Sequence, residues 1–239
     1  MRLLEHSYDA PAENLALDEV LLDEAEAGRS DEVLRFWTSP VHFVVLGLSQ
    51  ALEEHAFREA CERDRVPILR RCSAGGCVLQ GPGCLNYSLV LHTDRPGCET
   101  IHSSYRTILG MMVQALEMVG VHAAPAGTSD LAIGQKKISG SAQRRRKHFF
   151  LHHGTLLSDF DFTLCTRYLR EPADQPSYRE NRPHKSFLTN IPSDMPSLVR
   201  SVSEVFHAHN PDTVSLEIQD AMLKLVGTKY SLDRWTFRK

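Results

Sequence analysis

The chain has 239 residues, of which 42% are hydrophobic and 24% charged, with a formal net charge of -3. These values predict a soluble globular protein with one substantial core. The net negative charge argues against generic binding to nucleic acid. No stretch is apolar for the length of a membrane-spanning helix, and the polar, acidic start is unlike a secretory signal. The sequence therefore predicts a cytoplasmic protein that binds neither nucleic acid nor a membrane.

The chain contains six cysteines, which are irregularly spaced. A chain of this size does not need disulfide bonds for stability, so we expect reduced thiols. No CxxC pair is present, and the sequence therefore gives no support for a metal site. The cysteines are Cys61, Cys72, Cys77, Cys84, Cys98 and Cys165.

Hydrophobic periodicity and turn residues predict a mixture of helices and strands along a single domain that spans residues 1–239. The polar, proline-interrupted segment 171–186 is predicted to be a mobile loop. In chain order, the predicted elements are a helix at 11–27, strands at 33–37 and 42–46, a helix-prone segment at 51–65, strands at 67–71 and 87–91, a helix at 100–119, strands at 131–133 and 149–151, a helical turn at 160–168, and helices at 196–208 and 215–226.

A glycine-rich loop from Arg70 to Asn86 is the first candidate site, with the sequence RRCSAGGCVLQGPGCLN. Its paired glycines permit backbone conformations that other residues avoid, and Arg71 offers a planar fork for carboxylate or phosphate. The loop matches neither the Walker nor the Rossmann glycine spacing. A long hairpin connection without function is the alternative interpretation.

The second candidate is the stretch from Gly134 to Gln143, GQKKISGSAQ, which lies between two short apolar runs. We interpret it as a hairpin in which Lys137 is a cation at a defined position. The serines and glycine after it could bring hydroxyl and N–H groups to phosphate or carboxylate oxygens. An exposed turn that carries a lysine is the alternative. The basic run 144–147 is predicted to be a solvated hairpin tip, or otherwise a docking patch for an acidic partner.

Taken together, these motifs resemble the lipoate-protein ligase A family, within the wider group of biotin and lipoate ligases and octanoyltransferases. The resemblance covers residues 10 to 160 in motif order and spacing. It is carried by RRCSAGGCV from Arg70, LNYS from Leu85, SDL from Ser129, KKISGSA from Lys136 and HHGTLL from His152. It implies an α/β fold of the biotin/lipoate protein ligase catalytic-domain type, a mixed β-sheet with packed helices.

The resemblance also implies roles for individual residues. Lys137 would be the catalytic cation that binds the carboxyl and phosphate oxygens of an acyl-adenylate. Asp130 would lie near the nucleotide, and residues 47–50 would line the tunnel for the fatty chain. The remaining residues expected to bind substrate or nucleotide are Arg71, Ser73, Gly75, Gly76, Cys77, Val78, Leu79, Asn86, Ser139, Gly140, Ser141, Ala142, His153 and Gly154.

The activity implied is that of a lipoate-protein ligase. Such an enzyme activates lipoate or octanoate with ATP and Mg²⁺ and transfers the acyl group to a lysine of a lipoyl-domain acceptor. The acceptor would be of the 2-oxoacid dehydrogenase E2 or glycine cleavage H protein type. The small accessory domain of two-domain ligases is not recognised after Trp235, so a separate accessory chain is a further expected partner.

Two other activities remain open at the level of sequence. An octanoyltransferase would move an acyl chain from a carrier-protein thioester through a cysteine acyl-enzyme. The octanoyltransferases place this nucleophile at positions that correspond to the interval between Cys98 and Cys165. No cysteine lies in that interval, so we favour the ligase. The octanoyltransferase stays an alternative, because Cys72, Cys77 or Cys84 could supply a nucleophile from another position. The second alternative is a non-catalytic relative that binds a lipoyl group, and the presence of both Arg71 and Lys137 argues against it.

Overall fold

The computed structural model describes residues 1–238 and consists of two β-sheets with helices packed around them. The α-helices are α1 (Pro11–Glu26), α2 (Leu52–His55), α3 (Arg58–Asp64), α4 (Ile101–Met118), α5 (Thr163–Tyr168), α6 (His184–Phe187), α7 (Met195–Val205), α8 (Leu216–Leu225) and α9 (Asp233–Thr236). A 3₁₀ turn spans Ser177–Arg179, and a π-helical turn spans Val226–Tyr230.

The large sheet is mixed, with strand order β11-β1-β2-β6-β10-β9-β8-β7. The small sheet has the order β4-β3-β5. The strands are β1 (Arg2–Glu5), β2 (Val33–Trp37), β3 (Phe43–Leu46), β4 (Ile68–Arg70), β5 (Val78–Gln80), β6 (Cys84–His92), β7 (Ala124–Ala126), β8 (Asp130–Ile133), β9 (Lys136–Arg145), β10 (Phe149–Leu157) and β11 (Asn210–Pro211).

The large sheet is buried on both faces, and the alternation of side chains along each strand divides the protein into two layers. Helices α4 and α7 cover one face, which we call the α4 face; its core includes Leu89, Ile108 and Phe150. Helices α1 and α8 cover the other, the α1 face, whose core includes Leu17 and Leu151. The predicted mixed α/β fold is therefore confirmed.

Helix α1 is predicted to be amphipathic, but two of its acids are buried. Asp18 and Glu19 are 1% and 4% exposed. Each has a cationic partner from another element, because Arg35 of β2 contacts Asp18 and Lys229 contacts Glu19. These two acidic positions of α1 thus face the interior, where paired charges replace the expected contact with water.

The helix-prone segment 51–65 contains two short helices instead of one, because the backbone is extended at Ala56 and Phe57 between α2 and α3. The glycine-rich loop contains β5, which pairs with β3, and it ends where β6 begins at Cys84. No helix within residues 1–238 is long and apolar enough to cross a membrane.

Candidate active site

The stretch that contains Lys137 is a ten-residue strand, β9, hydrogen-bonded to β8 on one side and β10 on the other. The interpretation of this stretch as a hairpin connection with free N–H groups is therefore wrong, because the ladders use most of its backbone groups. The pairing with β8 shifts register next to Lys137, which leaves Ile138 as the extra residue of a bulge. Bulges re-aim side chains near sites.

Lys137 forms an ion pair with Asp130 of β8, with its Nζ 2.8 Å from Oδ1. The lysine side chain is 24% exposed and the aspartate side chain 8%. Tyr178 donates its hydroxyl proton to the other carboxylate oxygen at 2.8 Å. Burial and the neighbouring charge of Asp130 raise the pKa of Tyr178, so its phenol stays protonated as a donor. The cation is thus held in place while part of it remains accessible.

Arg71 lies under the glycine-rich loop and is only 7% exposed. Its guanidinium donates to the carbonyls of Ala74 and Gly76, at 2.7 and 2.9 Å. Its Nε donates to the Ser73 hydroxyl at 3.0 Å. Within residues 1–238, Nη1 of Arg71 makes no hydrogen bond, which leaves that nitrogen as a donor for a ligand. Arg71 therefore holds the conformation of the loop, and its Nη1 is left to donate a hydrogen bond to a ligand.

Close backbone packing fixes this loop against the turn that follows β3. A Cβ added at Gly47 would lie 1.9 Å from the carbonyl oxygen of Gly75, so only glycine fits there. Gly75 itself has φ +96°, a left-handed conformation that favours glycine. A Cβ at Gly75 would be 3.7 Å from the Cβ of Ala142. The loop therefore lies over β9 on the α1 face. Whether residues 47–50 line an acyl tunnel stays a prediction.

The residues proposed from the sequence divide between the two faces of the large sheet. On the α1 face lie Lys137, Asp130, Gly140, Ala142, His153 and Asn86, together with Arg71, Ser73, Gly75 and Gly76 of the loop. Cys77 instead packs against the core that contains Leu79. A Cβ at Gly140 would be 2.7 Å from the Nζ of Lys137, so the lysine side chain lies directly over this glycine. These residues are brought together.

Ser139, Ser141 and Gly154 are on the opposite, α4 face. A Cβ at Gly154 would come within 2.6 Å of the Tyr87 hydroxyl, which belongs to the core of that face. The Ser141 hydroxyl donates to the carbonyl of Ser129, and Ser139 is 1% exposed. Strand alternation therefore turns these side chains away from Lys137, and their assignment to the ligand site stays a prediction.

The strand β5 separates two further candidates in a similar way. Leu79 packs into the core between the small sheet and α5, whereas Val78 packs toward the α1 face. The side chain of Leu79 is therefore part of the core.

Asn86 accepts a hydrogen bond from Thr155, and Gln80 donates to the same threonine. The side-chain amide nitrogen of Asn86 is buried and has no hydrogen-bond partner within residues 1–238.

The basic run 144–147, whose first two residues are the last of β9, is not a solvated tip. Arg144 donates to the carbonyl of Cys72 at 2.8 Å, Arg145 donates to that of Cys98 at 2.8 Å, and Arg146 pairs with Asp23 at 2.7 Å. Only Lys147 lies in the turn without such a contact among the described residues. Because three of the four cations already have protein partners, the run is a poor docking patch.

The segment predicted to be a mobile loop, residues 171–186, packs beside the site. Arg179 is buried and paired with Glu171, and its guanidinium lies 4.8 Å from the ring centroid of Phe187. The same segment supplies Tyr178 to Asp130. These contacts hold the predicted loop against the site, and its mobility stays a prediction.

Sequence reasoning missed Asp18, Arg35 and Tyr178, of which the first two form a buried ion pair whose Asp18 carboxylate lies 3.4 Å from Nδ1 of His153. The signal for the first two was present, because an arginine inside the apolar strand VLRFW must be buried and requires a partner. Tyr178 gave no comparable signal, since it lies in an irregular segment far along the chain.

Comparison with known proteins extends these observations. The family model described as the lipoyl protein ligase A/B catalytic domain matches residues 10–209. A probable lipoate-protein ligase A of Mycoplasma pneumoniae is 35% identical over 167 residues, which are 70% of this chain and 48% of that protein. The chain therefore spans about half the length of this relative. The octanoyltransferase LipM of Geobacillus kaustophilus is 26% identical over 277 residues, with 100% of this chain and 98% of LipM covered.

Solved structures show the same architecture. A lipoate-protein ligase A bound with ATP superposes with a TM-score of 0.86 at 25% identity, covering 99% of this chain and 98% of that one. A bi-partite lipoate protein ligase from Thermoplasma acidophilum, studied with its E2 lipoyl domain, gives 0.85 at 25% identity, with 99% and 95% covered. These matches confirm the predicted catalytic-domain fold.

Proposed function

Since the chain belongs to the lipoyl protein ligase A/B catalytic-domain family, we propose that it is a lipoate-protein ligase. It would activate lipoate or octanoate with ATP and transfer the acyl group to a lysine of a lipoyl domain. The observation that carries this proposal is the presence of two cations, Lys137 and Arg71, on the same face of the sheet. Lys137 is accessible and oriented by Asp130, and Arg71 keeps a free donor under the glycine-rich loop.

The first reaction joins the acid to the α-phosphate of ATP. A carboxylate oxygen of the acid attacks the α-phosphorus, the bond to the β-phosphate oxygen breaks, and pyrophosphate leaves. Negative charge develops on the oxygens around phosphorus, and fixed cations stabilise it without reorganising. Lys137 and Arg71 would supply this stabilisation, and the exposed N–H groups of the loop would add to it.

The second reaction transfers the acyl group. The amine of the acceptor lysine attacks the acyl carbonyl, AMP leaves with the bonding electrons, and the amine loses a proton as the amide forms. No nucleophile from this chain enters that sequence. Lys137 would then stabilise the departing phosphate oxygen.

The magnesium ion would enter as part of the MgATP substrate and be held by its phosphate oxygens. Asp130 is the carboxylate nearest to the catalytic lysine, and both of its oxygens already accept bonds from Lys137 and Tyr178. Among the described residues, no three His, Cys, Asp or Glu side chains form a group suited to a metal ion. In this proposal the protein therefore contributes Lys137 and Arg71 as cations, and the phosphate oxygens of the nucleotide bind the metal ion.

The thiols support the ligase over a cysteine-dependent transferase. Burial raises the pKa of Cys72, Cys77 and Cys84 to about 12, so these thiols are protonated at neutral pH. For Cys77 the charge of Arg71 offsets only part of this effect. A nucleophilic cysteine requires the thiolate.

The test is mass spectrometry of the purified protein after incubation with lipoate and MgATP. Bound lipoyl-AMP is the expected product, and Lys137→Ala is expected to abolish it. An isolated lipoyl domain added afterwards should gain one lipoyl group. Failure to form the adenylate, combined with transfer from lipoyl-AMP supplied ready-made, would limit this chain to the second reaction and imply a separate accessory chain.

An octanoyltransferase is the second candidate, because LipM matches the chain over its whole length. The distinguishing experiment supplies octanoyl carrier protein without ATP. Transfer to the lipoyl domain under that condition, together with an acyl adduct on a cysteine, would establish the transferase. A variant with Cys72, Cys77 and Cys84 replaced by alanine should keep ligase activity and lose any such transfer.

A further inference from the structure

A buried chain of hydrogen bonds begins at an ion pair beneath the site. Asp18 of α1 and Arg35 of β2 are 1% and 0% exposed, and their charged groups are 2.6 Å apart. The second oxygen of Asp18 accepts the hydroxyl proton of Ser88 and lies 3.4 Å from Nδ1 of His153. Burial by itself would raise the pKa of Asp18, but Arg35, His153 and Ser88 hold it below its usual value. The carboxylate is therefore charged when it faces the histidine.

His153 connects this pair to the glycine-rich loop. Its Nε2 lies 2.6 Å from the hydroxyl oxygen of Ser73, and that oxygen already accepts the Nε proton of Arg71. One arrangement of protons satisfies all three groups. Ser73 donates its hydroxyl proton to Nε2, and His153 carries its own proton on Nδ1, toward Asp18. The chain then runs from Asp18 through His153 and Ser73 to Arg71.

This order of residues matches that of a serine nucleophile with its histidine base and orienting aspartate. The environment of Ser73 argues against that role. Its side chain is 1% exposed, and its oxygen is fixed between Arg71 and His153, so an acyl carbonyl has no approach to it. Arg71 in turn donates to the carbonyls of Ala74 and Gly76, on either side of Gly75. The chain of hydrogen bonds therefore ends at Arg71, whose bonds to the loop carbonyls hold the loop in its conformation.

We propose that Asp18 and His153 are positioning residues. They fix the hydroxyl of Ser73, and through it Arg71 and residues 73–77, in the conformation that receives the substrate. The inference rests on the proposed function only for the identity of that substrate. The hydrogen-bond chain and its effect on the loop exist in the free protein.

The variants that test this keep or remove the acceptor that faces Ser73. His153→Gln places an amide oxygen near the position of Nε2 and can still accept the serine proton. His153→Leu has a similar size and cannot. Ser73→Ala removes the donor. Ser104→Ala is the matched control, because Ser104 is also buried and its hydroxyl bonds to the carbonyl of Ile101 and to Gln143 on the α4 face, away from the loop.

The first measurement is amide hydrogen exchange of residues 73–77 in the protein without substrate. Losing one buried hydrogen bond corresponds to about a tenfold change in local opening. We expect exchange about tenfold faster in Ser73→Ala and His153→Leu, recovery of most of that change in His153→Gln, and no change in Ser104→Ala. Unchanged exchange in both Ser73→Ala and His153→Leu would overturn the proposal. Because no substrate is present, this result does not depend on the ligase assignment.

Two further measurements separate positioning from direct chemistry. The ¹⁵N spectrum of His153 should show the proton on Nδ1, and a proton on Nε2 would contradict the chain. In steady-state assays, His153→Leu should raise KM for ATP and acid about tenfold, since the loop must be ordered on binding. A fall in kcat at constant KM that His153→Gln does not recover would instead make His153 a proton carrier. An acyl adduct on Ser73 would make it the nucleophile.

Discussion

The two faces of the β9–β10 hairpin carry residues from the same short motifs and have different roles. On the α1 face, Lys137 lies over Gly140 and pairs with Asp130, and part of it is exposed. On the α4 face, Gly154 lies against the Tyr87 ring in a closed apolar core. A motif contiguous in sequence is thus divided by strand alternation into a site and a packing surface. Changes on the first face should alter chemistry, and changes on the second should alter stability.

The largest effect on chemistry is expected from Lys137→Ala. Removing one fixed stabilising charge from a transition state costs about a hundred- to a thousandfold in rate. The rate of adenylate formation should fall by that factor, while the urea midpoint changes little because the side chain is partly exposed. Lys136→Ala is the matched control, since Lys136 is exposed and has no role in the proposed site. An equal loss in both variants would show that net charge, not the position of Lys137, matters.

The largest effect on stability is expected at low pH and comes from the α4 face. Burial lowers the pKa of His152 to about 3, from an ordinary value of 6.5. Between these two pKa values, His152 binds a proton in the unfolded chain but not in the folded protein. The free energy of unfolding therefore falls as the pH drops below about 6.5 toward 3. The loss approaches about 4 kcal/mol by pH 3.

His152→Gln removes this proton-binding group and should flatten the acid limb of a plot of unfolding free energy against pH. The relevant comparison is the change in free energy between pH 7 and pH 4 for the two proteins, measured by urea unfolding. Identical slopes would mean that His152 is not buried in neutral form.

A pair of glycine substitutions compares the two faces directly. In Gly140→Ala, the new Cβ would meet the flexible end of Lys137 at 2.7 Å, so the lysine moves at little cost in stability. In Gly154→Ala, the Cβ would meet the Tyr87 hydroxyl and the adjoining ring carbons at 2.6 to 2.8 Å inside the core. We expect Gly140→Ala to lose about tenfold in adenylation rate, the effect of a displaced electrostatic group. Gly154→Ala should lose about 1–3 kcal/mol of stability through overpacking.

The two readouts are the rate per folded molecule and the denaturant midpoint. The comparison of faces fails if Gly154→Ala lowers the rate per folded molecule as much as Gly140→Ala does.

The smallest effects are expected from the serines that follow Lys137. Ser139 is buried and its hydroxyl has no hydrogen-bond partner within residues 1–238, so Ser139→Ala removes an unsatisfied polar group. Such a change should be neutral or stabilise by up to about 1 kcal/mol. Because its side chain is on the α4 face, the adenylation rate should remain within about twofold of the parent. A large loss of rate would place this hydroxyl in the site after all.

Local patterns in the sequence determined the elements and the motifs. Apolar spacing gave α1, α4 and the buried strands, since one face or both must be removed from water. Glycines beside an arginine marked the loop around Arg71, because close backbone approach requires them. The family resemblance, carried by these same motifs, predicted the fold that the structure and the comparisons confirm.

Tertiary structure alone decided which residues of those motifs share a site. The bulge at Ile138 and the register between β8 and β9 bring Lys137 to Asp130, and neither is visible in a single strand. Tyr178 reaches Asp130 across 48 positions of the sequence. The chain from Asp18 to Ser73 joins a helix, a strand and a loop. Local propensity carries no information about such long-range pairings, because buried polar groups select their partners only when the layers pack together.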